Sequence, residues 1–176
     1  IRSISGSNSH LTVVAWIKPH SINDGDWRAI VSKYLQFFFG RNPNGKLHFA
    51  YQKSGVGWWS CDGTNILQQD VWQFVAVVFD GEKVTFYINN TIDAQIISEG
   101  EIVGNQNDIY VGARDPTGQH FNTTIDEVRI YNRALSEEEI KALYYEGLTN
   151  KFNVSLLIRN DGMVDLGNKF SFCLLY

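Results

Sequence analysis

Short apolar runs, each closed by a turn signal, follow one another along most of the chain. In the run 11–18 every second residue is strongly apolar, which is the period of a β-strand with one buried face. Further strands are predicted at 28–34, 36–39, 46–52, 57–61, 72–79, 83–89, 108–112 and 123–131. Strands at this spacing predict an antiparallel sandwich or barrel.

Residues that tolerate or preset the dihedral angles of tight turns separate nearly all of these runs, at 23–25, 42–45, 62–63, 80–81 and 115–118. After the last run, the sequence predicts one helix. Ser136 is expected to cap it, with Glu139 reaching back in a capping box, and Gly147 is expected to end it. The acidic residues 137–139 therefore serve the positive first turn of the helix better than a metal cluster.

The length of 176 residues predicts a single domain over 1–176. A formal charge of −4 argues against a nucleic-acid partner, and no apolar run approaches the roughly 20 residues of a membrane helix. Because the chain opens on Ile1 without a leader-like segment, we expect a processed product or a piece of a longer protein. Cys61 and Cys173 form either one disulfide or two buried thiols.

Three phrases occur in a fixed order: LTVVAWIKP at 11–19, WQFVAVVFDGEKVTFYINN at 72–90, and IYVGARDPTGQHFNTTIDEVRIYNRALSEEEI at 109–140. In these phrases the sequence resembles the laminin-G-like group of the concanavalin A-like lectin/glucanase superfamily, over residues 11–147. The resemblance implies an all-β fold. The implied fold is a two-sheet antiparallel jelly-roll sandwich with one short α-helix after the last core strand.

Two departures from a regular jelly roll are expected. Ile125, Val128 and Ile130 cannot share one face by strict alternation, so the strand is buried on both faces or carries a bulge near Asp126 and Glu127. Members of the group usually have strands before the first phrase, where this chain has ten residues. We therefore expect extra C-terminal strands within 152–176 that take their place, as in a circular permutation, or else a partner chain that supplies them.

The chemistry of an enzyme finds little support in the sequence. Glucanases of the superfamily use an E-x-D-x-x-E strand, because a retaining mechanism needs two carboxylates roughly 5 Å apart, and the chain has no such triplet. The four histidines show no zinc-ligand spacing, and neither a phosphate-binding glycine loop nor a nucleophile elbow is present. We expect a protein that is not an enzyme.

Aromatic residues are the remaining candidates for a binding site. Trp16 and Trp72 stand in apolar strands and are expected in the core. Adjacent Trp58 and Trp59 point to opposite faces of a strand, so only one of them joins a given site. The predicted carbohydrate site combines rings in or beside polar loops with one acid, namely Trp27, Tyr51, Trp59, Asp115 and Phe121. The loops 21–27, 53–59 and 113–121 are expected to converge.

A structural calcium ion is implied by the resemblance, since related jelly rolls often bind one through the acid of a phrase like IDEVRIY. Asp126 stands at that position, and Asp165 is the best placed acid of the C-terminal segment. Asp115 is a second, loop-based possibility, because Ca²⁺ prefers carboxylate and carbonyl oxygens. The alternative is that Asp126 accepts backbone N–H bonds at a bulge while Glu127 pairs with a nearby arginine.

These observations predict a non-catalytic recognition or adhesion module, outside the cell or at its surface, which binds carbohydrate. Its partner is then a glycan or a surface protein, and neighbouring domains or subunits of a longer protein are expected. The alternative is a structural subunit of a cell-surface assembly, held by strand pairing and without a small ligand.

Overall fold

The computed structural model describes residues 9–152, 157–158 and 164–165. Contacts divide the chain into two compact units, Ile1–Leu135 and Ser136–Tyr176, so the single domain stays a prediction. The described strands of the first unit are β1 (Leu11–Pro19), β2 (Arg28–Lys33), β3 (Phe37–Arg41), β4 (Lys46–Lys53), β5 (Gly57–Ile66), β6 (Gln73–Phe79), β7 (Lys83–Ile88), β8 (Thr91–Ile97), β9 (Ile109–Val111) and β10 (Thr123–Tyr131).

The first unit contains two five-stranded antiparallel sheets. The first sheet has the order β10-β1-β6-β7-β8 and the second sheet has the order β5-β4-β3-β2-β9. Apolar side chains from both sheets form one buried core, which includes Val13, Ile30, Phe39, Phe49 and Val77. The predicted all-β sandwich is confirmed, as is the buried position of Trp16, whereas Trp72 is half-buried.

The bulge predicted in the last strand of the sandwich is confirmed. β1 pairs with β10 at Val14 and Arg129 and then at Trp16 and Asp126, so β10 has one residue more than β1 between the two pairs. Glu127 absorbs the irregularity with a φ of 49°, and its N–H donates to Asp126 Oδ1 at 2.8 Å. The Glu127 carboxylate lies 3.7 Å from the Arg129 guanidinium. These contacts match the alternative to a calcium site.

The second unit contains α1 (Glu137–Phe152) and an antiparallel pair of short strands, β11 (Leu157–Ile158) and β12 (Val164–Asp165). The capping box is confirmed, because Ser136 N donates to Glu139 Oε2 at 2.9 Å and Glu139 N donates to Ser136 Oγ at 3.3 Å. The predicted end at Gly147 is wrong. Glycine inside a helix costs only about 1 kcal/mol, and no proline follows to stop the helix.

Several predictions fall on residues beyond this description. The C-terminal strands within 152–176 are described only at β11 and β12, and their role as a replacement for N-terminal strands lies outside the described residues, as does Cys173. Cys61 has no disulfide partner in the part of the chain that the structure describes. No helix among the described residues has the length and apolar character needed to cross a membrane.

Candidate functional site

A cavity of about 250 Å³ opens on the second sheet, on the face turned away from the core. We call it the tryptophan cavity. Its lining combines aromatic, small and polar side chains: Trp27, Phe38, His48, Ala50, Trp58, Arg114 and Gln119.

Strand register explains the part of this lining that lies on β3 and β4. Phe38 pairs with Ala50 and Gly40 pairs with His48, and residues directly opposite in a sheet share a face. The residues between them, such as Phe39 and Phe49, point to the core. Ala50 is the smallest side chain in the lining, so it takes the least space from the cavity.

Two loops and the start of β5 supply the rest of the lining. Trp27 comes from the loop 21–27, Trp58 from the segment 53–59, and Arg114 and Gln119 from the loop 113–121. The predicted convergence of these three segments is therefore confirmed. Trp58 is 49% exposed, which leaves its ring available to a ligand.

A buried arginine holds the loop that carries Trp27. Arg41 is fully buried, and its guanidinium contacts the Asp24 carboxylate and donates to the Asp26 carbonyl at 2.9 Å. Arg28 pairs with both acids, at 2.9 and 2.8 Å. Burial raises the pKa of Asp24, but hydrogen bonds from Arg41 and Arg28 outweigh it and hold the pKa well below its usual range. The loop before Trp27 is thus fixed from inside the protein.

The loop that carries Arg114 is fixed by the neighbouring strand β2. The buried Ser32 hydroxyl lies within hydrogen-bond distance of two carbonyl oxygens, 3.0 Å from Ala113 O and 2.7 Å from Arg114 O. Ala29 N donates to Gln119 O at 3.3 Å. Gln119 has a φ of 54°, in the left-handed region that costs a residue other than glycine about 1 kcal/mol or more. Strained backbone of this kind is concentrated at functional sites.

His48 lies between two aromatic rings. Its ring centroid is 4.1 Å from that of Trp27 and 5.8 Å from that of Phe38, and its Nδ1 lies 2.7 Å from Asp62 Oδ1. Burial lowers the pKa of His48, and the hydrogen bond with Asp62 opposes this shift. A neutral ring at pH 7 follows. Because a carboxylate only accepts, Nδ1 carries the proton and Nε2 is an acceptor.

The predicted ring set is partly wrong. Trp27 lines the cavity, but Tyr51 is fully buried, with its hydroxyl 2.7 Å from Ser98 Oγ. Trp59 packs against the core beside Tyr51, with ring centroids 5.4 Å apart, so the exposed member of the tryptophan pair is Trp58. Phe121 is 7% exposed and lies 5.3 Å from the Arg41 guanidinium carbon. Buried rings cannot stack on a sugar.

The predicted acids lie apart from this cavity. Asp115 is outside its lining, and its Oδ1 accepts hydrogen bonds from Thr117 N at 2.8 Å and from Thr117 Oγ1 at 2.6 Å. Asp126 is exposed at the bulge, and the side chain of Asp165 lies outside the description. Among the described residues, His, Cys, Asp and Glu form no group of three or more that could hold a metal ion. The calcium ion stays a prediction.

A second cavity, of about 320 Å³, has a different character, and we call it the amide cavity. It is lined by Asn65, Ile66, Gln68, Gln73, Ile88, Asn89, Thr91, Ile92 and Asp93. Asp93 accepts hydrogen bonds from Thr64 N, Asn65 N and Asn65 Nδ2, at 2.8 to 2.9 Å. Gln73 Oε1 accepts one from Gln68 N at 2.7 Å. Backbone groups therefore occupy much of its polar surface.

A chain of hydrogen bonds on the surface has the order of a nucleophile, a base and an acid. Thr124 Oγ1 lies 2.9 Å from His20 Nε2, and His20 Nδ1 lies 2.9 Å from Asp70 Oδ1. The side chains of His20 and Asp70 are 39% and 59% exposed, and none of the three residues lines either cavity. The chain ties the end of β1 to β10, which is a structural role.

Comparisons with known proteins agree with this fold. A family model, Laminin_G_3 of the concanavalin A-like lectin/glucanases superfamily, matches residues 2–141. No curated protein sequence matches the chain.

Solved structures are similar at low sequence identity. A candidate carbohydrate-binding protein from Bacteroides ovatus is 19% identical with a TM-score of 0.65; the match covers 77% of this chain and 40% of that one. The CBM40 of a Ruminococcus gnavus sialidase, solved with α2,3-sialyllactose, is 18% identical with a TM-score of 0.63, over 78% and 83%. A mutant Trypanosoma rangeli sialidase with trans-sialidase activity is 15% identical with a TM-score of 0.57, over 78% and 23%. At these identities the likeness shows the fold alone.

Proposed function

Because the chain belongs to the concanavalin A-like lectin/glucanases superfamily, we propose that it is a carbohydrate-binding module whose glycan lies in the tryptophan cavity. One observation carries the proposal. Trp27 and Trp58, from separate segments, line the same cavity together with Arg114 and Gln119. An aromatic ring offers a flat apolar surface to the C–H face of a sugar, while a few placed polar groups bind its hydroxyls.

The chemistry of the lining fits such a ligand. Gln119 offers both a donor and an acceptor, the neutral His48 offers Nε2 as an acceptor, and Arg114 offers donors. The rigid supports of the two loops favour binding, because a preorganised site loses less conformational entropy when the ligand arrives. Two of the similar structures, from Bacteroides ovatus and Ruminococcus gnavus, are described as carbohydrate-binding, which adds support by analogy of fold.

The module acts without catalysis in this proposal, although a sialidase is among the similar structures. It works outside the cell or at its surface, as an adhesion or recognition unit of a longer protein, where glycans are accessible partners.

A structural calcium ion at Asp126 belongs to the same proposal. Its test is thermal melting with calcium and with a chelator, because an ion bound only by the native state raises the midpoint. An unchanged midpoint would remove it.

A glycan array tests the proposal most directly. Wild-type protein should bind a defined set of glycans, and Trp58→Ala should lose them because it removes an exposed ring of the cavity. Ile66→Ala is the matched control, since Ile66 is 55% exposed and lines the amide cavity. Its binding should equal that of the wild type. If the wild type, folded by circular dichroism, binds no glycan, the proposal fails.

A second function has one observation in its favour. β8 lies at the edge of the first sheet, and its Ile97 side chain is 73% exposed. An apolar edge strand pairs readily with another chain, as expected for a structural subunit. Size-exclusion chromatography of the wild type and of Ile97→Lys separates the two: an assembly that the lysine disperses favours strand pairing, and a monomer in both cases argues against it.

A further inference from the structure

The charge of the tryptophan cavity is unlike that of the chain as a whole. The chain carries a formal charge of −4, yet no carboxylate is among the described residues that line this cavity. Arg114 is positively charged, while His48 is neutral at pH 7. We infer that the cavity selects a sugar that carries a negative charge, a carboxylate or a sulfate, and that Arg114 binds this anion. The inference rests on the proposed function and names its ligand class.

The Arg114 side chain is prepared for this role. Both of its backbone polar groups are held, because its N–H donates to Gly118 O at 3.2 Å and its carbonyl oxygen lies 2.7 Å from Ser32 Oγ. No described residue forms a hydrogen bond or ion pair with its guanidinium. A guanidinium presents a planar fork of donors that matches a carboxylate or sulfate. The anchor is thus rigid at its base and open at its tip.

Three acids that bind a lining residue or lie in the loops that carry the lining form contacts of their own. Asp62 binds His48, and Asp24 binds Arg28 and Arg41. Asp115 follows Arg114 in the chain, but its Oδ1 is occupied by Thr117. Hydrogen bonds from Thr117 and, to a lesser degree, the charge of Arg114 hold the pKa of Asp115 below its usual range. These acids keep the loops in place and do not occupy the space that the ligand would take.

The lining also disfavours a purely neutral sugar as the preferred ligand. Sugar hydroxyls are bound well by carboxylates, which offer several acceptor positions. Here the described lining offers His48 Nε2 and the Gln119 oxygen as acceptors, and the strongest polar group is a donor. A carboxylate or sulfate accepts two parallel hydrogen bonds from a guanidinium and carries the opposite charge, which a neutral hydroxyl does not, so an anionic sugar gains most from this arrangement.

Calorimetric titration with matched ligands tests the inference. The probes are α2,3-sialyllactose, the same sugar with its carboxylate converted to a carboxamide, a sulfated lactose and lactose. We expect the acid to bind about tenfold more tightly than the carboxamide, and this ratio to shrink as salt rises from about 0.05 to about 0.5 M. Arg114→Gln should reduce the ratio to about one, because the amide keeps the hydrogen bonding but not the charge. Comparison of the acid with the sulfated lactose identifies which anion is preferred.

The outcomes separate this inference from the function on which it rests. If neutral and acidic sugars bind equally, and Trp58→Ala abolishes both, the glycan site stands and the inference fails. An acid preference that persists in Arg114→Gln also overturns the role of Arg114. If none of the probes binds to wild-type protein and the glycan array is empty, the proposed function itself fails. Arg114→Lys provides a check on folding and should keep part of the preference, since it retains the charge.

Discussion

The two cavities of the sandwich differ in what their polar groups are doing. In the amide cavity, Asp93 and Gln73 accept hydrogen bonds from backbone N–H groups. In the tryptophan cavity, the supporting bonds lie behind the lining, at Asp24 and Ser32, so Arg114 keeps its side chain open. The comparison teaches that similar size does not make similar sites. We therefore expect binding at the cavity whose lining is supported by other groups, because a site needs a supporting shell behind the residues that contact the ligand.

Alanine substitutions at two glycines should destabilise the protein by different amounts, because the atoms around the two glycines differ in rigidity. In Gly40→Ala the new methyl would overlap the backbone oxygen of Arg28, beneath the tryptophan cavity, and we expect a loss of about 3 kcal/mol in unfolding free energy. In Gly63→Ala it would overlap Asp93 Oδ2, a side-chain atom that has some freedom to move, so the loss should be about 1 kcal/mol. Urea denaturation of both variants measures the difference. Equal losses would show that Asp93 is as rigid as backbone.

Filling the tryptophan cavity should weaken glycan binding, whereas filling the amide cavity should not. Ala50→Phe places a ring in the tryptophan cavity and should weaken glycan binding more than about tenfold, because it takes the space of the ligand. Thr91→Phe fills the amide cavity from an exposed position and should leave binding unchanged. Neither side chain belongs to the apolar core, so folding should survive. Equal binding by the two variants would move the site away from the tryptophan cavity.

The support of the Trp27 loop should show in both binding and acid stability. Asp24→Asn weakens the pairing with Arg28 and Arg41 and should lower glycan affinity about threefold, whereas Asp93→Asn should not. The lowered pKa of Asp24 contributes stability above the unfolded value of about 3.9, and this contribution is lost as pH falls below it. The gap in denaturation midpoint between wild type and Asp24→Asn should therefore narrow progressively as pH falls from about 5 to about 2. A constant gap would contradict it.

The smallest effect is expected at His48. Since burial lowers its pKa in the folded state, the unfolded chain binds the proton more readily, and stability should fall as pH drops below about 6.5. We expect a decrease of about 2 °C in melting temperature towards about pH 5.5, which His48→Asn should remove. Thermal melts of both proteins across this range provide the test. Parallel slopes would show that His48 does not titrate differently in the folded state.

The strands of the sandwich were largely predictable because their alternation is local. β8 was not predicted, because all of its residues are exposed or half-buried at a sheet edge and no strong apolar alternation marks it. In β5, the same alternation of polar and apolar residues indicates which side chains face the core. Trp58 lies in register with the polar Ser60 and Asp62, while Trp59 lies in register with Cys61 on the core side. Reading these polar neighbours would have selected Trp58.

Other parts of the site could not be read from the chain. Arg114 and Gln119 reach the cavity because β9 pairs with β2, a contact between segments about eighty residues apart that no local pattern specifies. The buried Arg41 is equally hidden, since a charged residue at a strand end is usually exposed. The burial of Tyr51 follows from its apolar phase with Leu47 and Phe49, although it lies close to the loop after β4.

Position 50 can change during evolution without loss of the fold. The Ala50 side chain lines the cavity and is not part of the apolar core, so a larger residue at this position takes space from the cavity and leaves the packing on the other side of the sheet in place. Proteins that differ at this one position are therefore expected to differ in the size of the ligand that the cavity admits. Selection for new ligands at this position is separated from selection for a stable fold.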